Sequence, residues 1–163
     1  MIFVTVGNEQ RYPFTRFLRI IDEVAPDIPD EVVMQIGPDS HVPQNCKYFS
    51  FIPHQEYMEV FGKSRLIISH CATGVMIHAI RLMKPIILFP RRAEFNEHLD
   101  NHQVETAKSL EGRQGVWVTY DEEALRKIVM TFARGGEMSY AAQKTEETGI
   151  IEAIAEFLST LRK

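Results

Sequence analysis

"RLIISHCATGVMIHAIRLMKPIILFP", residues 65–90, sets two apolar runs on either side of a helical pattern. Residues 65–69 are a continuous apolar run of the kind found in strands buried on both faces. The small residues Ala72, Thr73 and Gly74 then let the backbone turn, and residues 75–83 carry apolar side chains at helical spacing. Pro85 stops that helix, and residues 86–90 form a second apolar strand. Two such strands joined by a helix are a βαβ crossover, which requires the strands to run parallel.

The same alternation extends in both directions. Upstream, residues 2–6 read as a strand ending at Gly7, and residues 13–25 as a helix with Phe14, Phe17, Leu18, Ile21 and Val24 on one face. Strands are expected at 31–37 and 47–52, with a helix at 54–64 between the second of these and the quoted stretch. Downstream come a helix from about Leu99 to Leu110, a strand at 115–118, a helix capped by Asp121, and a helix over about 139–163. That last helix has an apolar face of Ile150, Ile151, Ile154, Phe157, Leu158 and Leu161, suited either to its own sheet or to a partner. The expectation is a single α/β domain over residues 1–163, a Rossmann-like parallel sheet with helices on both faces. Ligands of such sheets bind at the carboxyl ends of the strands, which directs attention to the loops 7–12, 70–74 and 90–101.

Composition limits what can bind there. A chain of 163 residues with 45% apolar content supplies one core. Eighteen basic against 22 acidic residues give a net charge of −4, which disfavours nucleic acid as a partner. Cys46 and Cys71 lack the spacing of a metal or redox motif, the first residues resemble a core strand instead of a secretory signal, and no apolar run nears the ~20 residues of a membrane span. A cytoplasmic protein is expected, brought to any membrane by something else.

Three groups of residues carry candidate chemistry. At "HCATG" the strand ends on His70 and a helix begins near Thr73 and Gly74, where exposed amides and the helix dipole favour an anion; a plain N-cap role explains Thr73 equally well. In the following helix, Met76, Ala79, Ile80 and Met83 share the core face, while His78 lies with Val75 and Leu82 and either borders the cleft or is an ordinary half-exposed residue. In "PRRAEFNEHLDNHQ", a helix begun near His98 turns His98, Asn101, His102 and Glu105 to one side and Val104, Ala107 and Leu110 to the other, although a solvated face has the same pattern. Arg91 and Arg92 leave a buried strand at its carboxyl end with planar paired donors for phosphate or carboxylate. Glu97 precedes His98, so the zinc-protease order is absent and no metal site is expected. There is no G-x-S-x-G elbow, P-loop or complete G-x-G-x-x-G.

The stretches "MIFVTVGNEQRYPFTRFL", "VVMQIG" and "LIISHCATGVMIHAIRLMKPIILFPRRAEFNEHLDNHQ" resemble, in order and spacing, the C-terminal half of family 28 glycosyltransferases. The resemblance is closer to the small stand-alone form of that half, the cytosolic subunit of the eukaryotic two-part N-acetylglucosaminyltransferase and its bacterial counterparts in capsule and exopolysaccharide synthesis. It implies half of a GT-B enzyme, inverting and metal-independent, with no cofactor and a nucleotide-sugar donor, usually UDP-linked, as substrate. It also implies a membrane-attached partner subunit carrying the acceptor-side domain, and a lipid-linked acceptor. By position, Gly7 and Asn8 border the diphosphate, Ile52 holds the uracil through its backbone, and His70, Thr73 and Gly74 form the phosphate turn. Glu97, His98, Asn101, His102 and Gln103 line the sugar and ribose, with Arg91 and Arg92 facing the diphosphate or a uronic carboxylate. The catalytic residue stays unassigned among His70, Glu97 and His98, and the base is expected from the partner. The chain departs from the family at Asn8 (Thr or Ser), Ala72 (Gly), Val75 (Ser or Thr), Met83 (Gly) and His78, which replaces the ribose-binding glutamate. These departures sustain an alternative, a catalytically degenerate interaction subunit that stabilises or activates a partner glycosyltransferase.

Overall fold

The computed structural model describes residues 1–8, 11–37 and 41–135. The expected helix at about 139–163 lies outside the described residues. Six strands, β1 (Ile2–Thr5), β2 (Val32–Gln35), β3 (Lys47–Phe49), β4 (Leu66–Ser69), β5 (Ile86–Leu88) and β6 (Val116–Val118), form one sheet in the order β3-β2-β1-β4-β5-β6. Every neighbouring pair is parallel, and β1 is central, with Ile2 in register with Val32 on one side and Leu66 on the other.

Among the described residues, five α-helices cover the sheet: α1 (Thr15–Val24), α2 (His54–Lys63), α3 (Thr73–Arg81), α4 (His102–Leu110) and α5 (Glu122–Ala133). Alternation along the strands explains both layers. Ile2 and Val4 of β1, Ile68 of β4 and Ile87 of β5 pack with Phe17, Ile21, Leu125 and Val129 from α1 and α5. Phe3, Ile67, Ile86 and Leu88 turn the other way, onto Phe61 of α2, Met76 and Ala79 of α3, and Ala107 and Leu110 of α4. Two apolar faces on one sheet need two helical layers, which is why β1 and β4 read as unbroken apolar runs.

Chain direction reverses about β1. The chain runs outward through β2 and β3, then α2 carries it back to β4 on the far side of β1. The loops after β1 and β4 therefore part from each other, leaving a crevice at the carboxyl end of the sheet.

Three local expectations are corrected. The helix expected from about Leu99 begins at His102, because Asn96 adopts a left-handed backbone (φ 55°) and residues 98–101 run as bends. α3 spans Thr73–Arg81 with Ala72 at the N-cap, so Thr73 is its first helical residue and not its cap. Met83 lies beyond α3, left-handed (φ 49°) and 68% exposed, instead of on the core face. Asp121 caps α5 as expected, its carboxylate accepting from the Ala124 N–H at 2.8 Å.

Candidate functional site

The crevice between the β1 and β4 loops is a cleft of about 280 Å³. The β1 loop contributes Gly7 and Asn8, β2 contributes Gln35 and the chain after β3 contributes Ile52. His54 and Tyr57 come from α2, and Gly74, Val75 and His78 from α3.

Its floor is a hydrogen-bonded relay joining strand ends. Thr5 Oγ1 accepts from the Gly7 N–H (3.1 Å) and donates to Gln35 Oε1 (2.5 Å), and Gln35 Nε2 donates to Asn8 Oδ1 (3.1 Å). Gln35 is buried, and a lone amide in the apolar strand 31–37 was the sequence signal for it. Ser69 Oγ donates to the Thr5 carbonyl (3.0 Å) and lies 3.2 Å from His70 Nδ1. Because Ser69 has only one proton to give, His70 Nδ1 must carry its own, which leaves Nε2 as the lone-pair nitrogen. His70 is 5% exposed, and burial pushes its pKa down to about 3, with the charges of Arg91 and His98 acting in the same direction. A neutral imidazole so hard to protonate is a poor general base near neutrality.

His70 also dictates the residue above it. Gly7 has φ +70°, and a Cβ there would lie 2.8 Å from His70 Cε1 and 3.1 Å from Nε2. Glycine is required by backbone and by space together.

The opposite wall is aromatic and imidazole-rich. His78 stands 6.0 Å from His54, 6.3 Å from Tyr57 and 6.0 Å from Phe61, ring to ring. Burial lowers the His78 pKa, with smaller contributions from His54 and Arg81. Burial likewise pushes the Tyr57 phenol up to about 12, so it stays a neutral donor. His54 and Tyr57 were not foreseen; they share a face of α2 at i, i+3, in a segment expected only to be a helix. At the start of α3 no side chain caps the helix, so its first-turn amides remain available.

The loop after β5 is built differently from its sequence reading. Arg91 is 1% exposed, and its guanidinium donates to the carbonyls of Tyr12 (2.5 Å), Val6 (3.1 Å) and Glu97 (3.2 Å) while lying 4.6 Å from the centre of the Phe14 ring. It braces the loops instead of facing a ligand. Glu97, 3% exposed, receives a paired contact from Arg16 (2.7 and 2.8 Å) and the Arg92 N–H (3.1 Å). Its carboxylate is committed to that bridge, which removes it as a sugar ligand or base in this conformation. Arg16, unforeseen, is held between the rings of Phe89 and Phe95, each 4.5 Å away.

Gln103 is buried too, its Oε1 accepting from the N–H groups of Cys71 and Arg91, both at 3.2 Å. Asn101 stands at the N-cap position of α4 without a side-chain capping bond, its Oδ1 accepting instead from the Ala93 N–H (3.0 Å). Asn101 and Arg92 line a separate hollow of about 280 Å³ on the outer side of α4, with Glu105 and Lys108. Arg92 there pairs with Glu94 (3.0 Å) and the Tyr120 carbonyl (2.5 Å). The shared face of His98, Asn101, His102 and Glu105 does not form, because the helix starts too late to align them.

His98 and His102 do meet, edge to face at 4.4 Å. His98 also stacks on Tyr12 at 5.6 Å, and Asp100 contacts both histidines. Of the expected donor residues, the cleft thus gathers Gly7, Asn8, Ile52, Gly74 and His78, with His70 beneath it.

Comparison with known proteins places this geometry. The Glycosyltransferase family 28 C-terminal domain matches residues 1–159. The UDP-N-acetylglucosamine transferase subunit ALG13 of Eremothecium gossypii is 32% identical over 75 residues, a match covering 45% of this chain and 35% of that protein. The solution structure of ALG13 has a TM-score of 0.55 at 20% identity, covering 80% of this chain and 83% of that one. MurG of Acinetobacter baumannii has a TM-score of 0.59 at 12% identity, covering 96% of this chain and 49% of that one. At such identities the two structures bear on fold alone, and both neighbours support the GT-B half expected from the sequence.

Proposed function

Because the chain belongs to the Glycosyltransferase family 28 C-terminal domain family, we propose that it is the UDP-sugar-binding subunit of a two-component inverting glycosyltransferase. The partner in this reading is a membrane-attached subunit bearing the acceptor-side domain and a lipid-linked acceptor, in polysaccharide or lipid-linked glycan synthesis such as that of exopolysaccharide or capsule. The chain itself is cytoplasmic and reaches the membrane through that partner; among the described residues no helix is long and apolar enough to cross one.

The observation that carries the proposal is the cleft at the sheet's switch point, bordered by Gly7, Asn8 and the uncapped start of α3. The diphosphate of the donor lies against the Thr73 and Gly74 amides, where the helix dipole stabilises the charge that grows on the leaving nucleotide. Those fixed dipoles let the transfer proceed without a required metal. Gly7 lets the backbone approach the diphosphate closely, and the base bonds the Ile52 backbone. His98 and His102 face the sugar, and the general base comes from the partner.

One feature favours the rival reading, an interaction subunit whose site has lapsed: among the described residues no carboxylate lines the cleft, and His78 stands where the resemblance implies a ribose acid. Titration calorimetry with UDP and a panel of UDP-sugars, without Mg²⁺, alone and with the co-purified partner, decides between them. Donor binding that Thr73→Ala or His102→Ala weakens supports the enzyme. Absence of affinity for every donor in both settings overturns it.

A further inference from the structure

We propose that His98, Asp100 and His102 form a binding site for one divalent transition cation of the imidazole-preferring class, such as Zn²⁺. The three side chains each bring a ligand atom, and these atoms lie within 4.8 Å of one another. Zinc bonds of roughly 2.0–2.2 Å to imidazole nitrogen and carboxylate oxygen place the ligands of one tetrahedral ion about 3.3 Å apart. Asp100 Oδ1 is the centre of the group, bonded to His102 Nδ1 and 3.4 Å from His98 Nδ1.

The group is held from three sides. Tyr12 stacks on the His98 ring, interplanar angle 25°. His102 is the first residue of α4, and its N–H donates to Asp100 Oδ1 (3.1 Å). The Asn101 side chain pins the intervening backbone to Ala93 (3.0 Å). Side-chain exposures of 20%, 60% and 39% for His98, Asp100 and His102 leave an open path from solvent.

Donor chemistry sets the class of ion. Two imidazoles and one carboxylate suit zinc, cobalt, nickel or copper, whereas Mg²⁺ and Ca²⁺ take oxygen ligands in larger number. Three protein ligands leave at least one coordination position for water or an anion. The sequence concealed this site because the H-E-x-x-H order was absent, whereas the ligands here are H-x-D-x-H on a stretch that is not helical until its last residue. Occupancy by the ion and by a donor sugar at His98 and His102 would exclude each other; that consequence rests on the donor reading, but ion binding does not.

The test uses Co²⁺ as the probe, added to the tag-free full chain with no nucleotide present. The expected result is one equivalent bound, with the visible absorption of a four-coordinate site, displaced by Zn²⁺. Asp100→Ala and His102→Ala each weaken binding by at least about tenfold, and His54→Ala, in the other histidine cluster, leaves it unchanged. If the variants fold poorly, Zn²⁺-induced shifts of the His98 and His102 ring resonances in the unaltered chain serve instead. No cobalt spectrum and no ring shifts, an unchanged spectrum in Asp100→Ala, or loss of binding in His54→Ala overturns the proposal.

Discussion

Acidification tests the support beneath the cleft. His70 has an ordinary pKa of 6.5 and a folded value pushed down to about 3, chiefly by burial. Below 6.5 the unfolded chain takes up a proton that the folded chain refuses, so the contribution is complete above that pH and declines as pH falls toward 3. The slope is about 1.4 kcal/mol per pH unit, which amounts to roughly 2 kcal/mol between pH ~6.5 and ~5. For a domain of this size that lowers Tm by about 4–8 °C. Urea unfolding followed by the fluorescence of Trp117, the single tryptophan, measures it in the unaltered protein and in His70→Asn. The expected difference between the two slopes is one proton over this window. His78 has a lowered pKa of the same sign, but it is present in both proteins and cancels. Because folded His70 stays neutral across this window, its support of Gly7 is kept, and cleft binding by the folded protein should not change with it. A His70 Cε1 resonance that titrates near its ordinary value, or equal slopes in the two proteins, would show that burial does not hold His70 neutral; the resonance needs no variant.

Three further outcomes are expected. Arg16→Ala leaves the Glu97 carboxylate buried without its paired donor and should cost about 3–5 kcal/mol by urea unfolding, with Arg16→Lys between; a loss within ~0.5 kcal/mol of the unaltered protein would contradict the bridge. Arg91→Met strips donors from the Tyr12, Val6 and Glu97 carbonyls and should cost about 3 kcal/mol or more, while weakening UDP-glucuronate and UDP-glucose equally in calorimetry; a loss confined to the uronic donor would restore Arg91 as a carboxylate ligand. Met83→Gly relieves a left-handed residue exposed to solvent, and a gain of about 0.5–1 kcal/mol in thermal unfolding is expected, where no gain would mean the backbone relaxes without strain.

The fold was legible because the strands are buried on both faces. Continuous runs such as residues 65–69 and 86–90 have few other uses in a chain with helices between them, and each became a strand. The cleft was legible as a place, since strand order fixes where loops diverge, but its far wall was not. His54 and Tyr57 belong to a different helix from the glycines they face, and periodicity along one segment carries no record of what the next packs against. The error over Glu97, Arg91 and Gln103 has one cause. Polar residues in a loop at a site are read as ligands, whereas these bond other loops, and their partners Arg16, Tyr12, Cys71 and Val6 lie far off in sequence. Met83 is the converse case: where the resemblance implies a glycine, the backbone is left-handed, and the methionine adopts that conformation.

What those misread residues accomplish bears on the choice between enzyme and lapsed scaffold. Burying Arg16, Glu97 and Arg91 carries a desolvation cost that well-packed apolar side chains would avoid. Stability alone therefore gives little reason for them. Each instead fixes one loop against another: Arg91 ties the end of β1 and the Tyr12 turn to the Glu97 backbone, Glu97 ties that loop to α1, and Gln103 ties the β4 and β5 exits to α4. The elements so joined are those that hold Gly7, the "HCATG" turn and the His98–His102 stretch in place. Placing dipoles where charge will develop requires that they not relax when it does, and a charged brace across the loops supplies that rigidity. A subunit kept only for its docking surface has no such requirement at this end of the sheet. Arg16→Lys, which retains charge but loses the planar fork, should therefore weaken donor affinity by more than its loss of stability accounts for; calorimetry under conditions where the variant is fully folded measures the difference, and unchanged affinity there would favour the docking role.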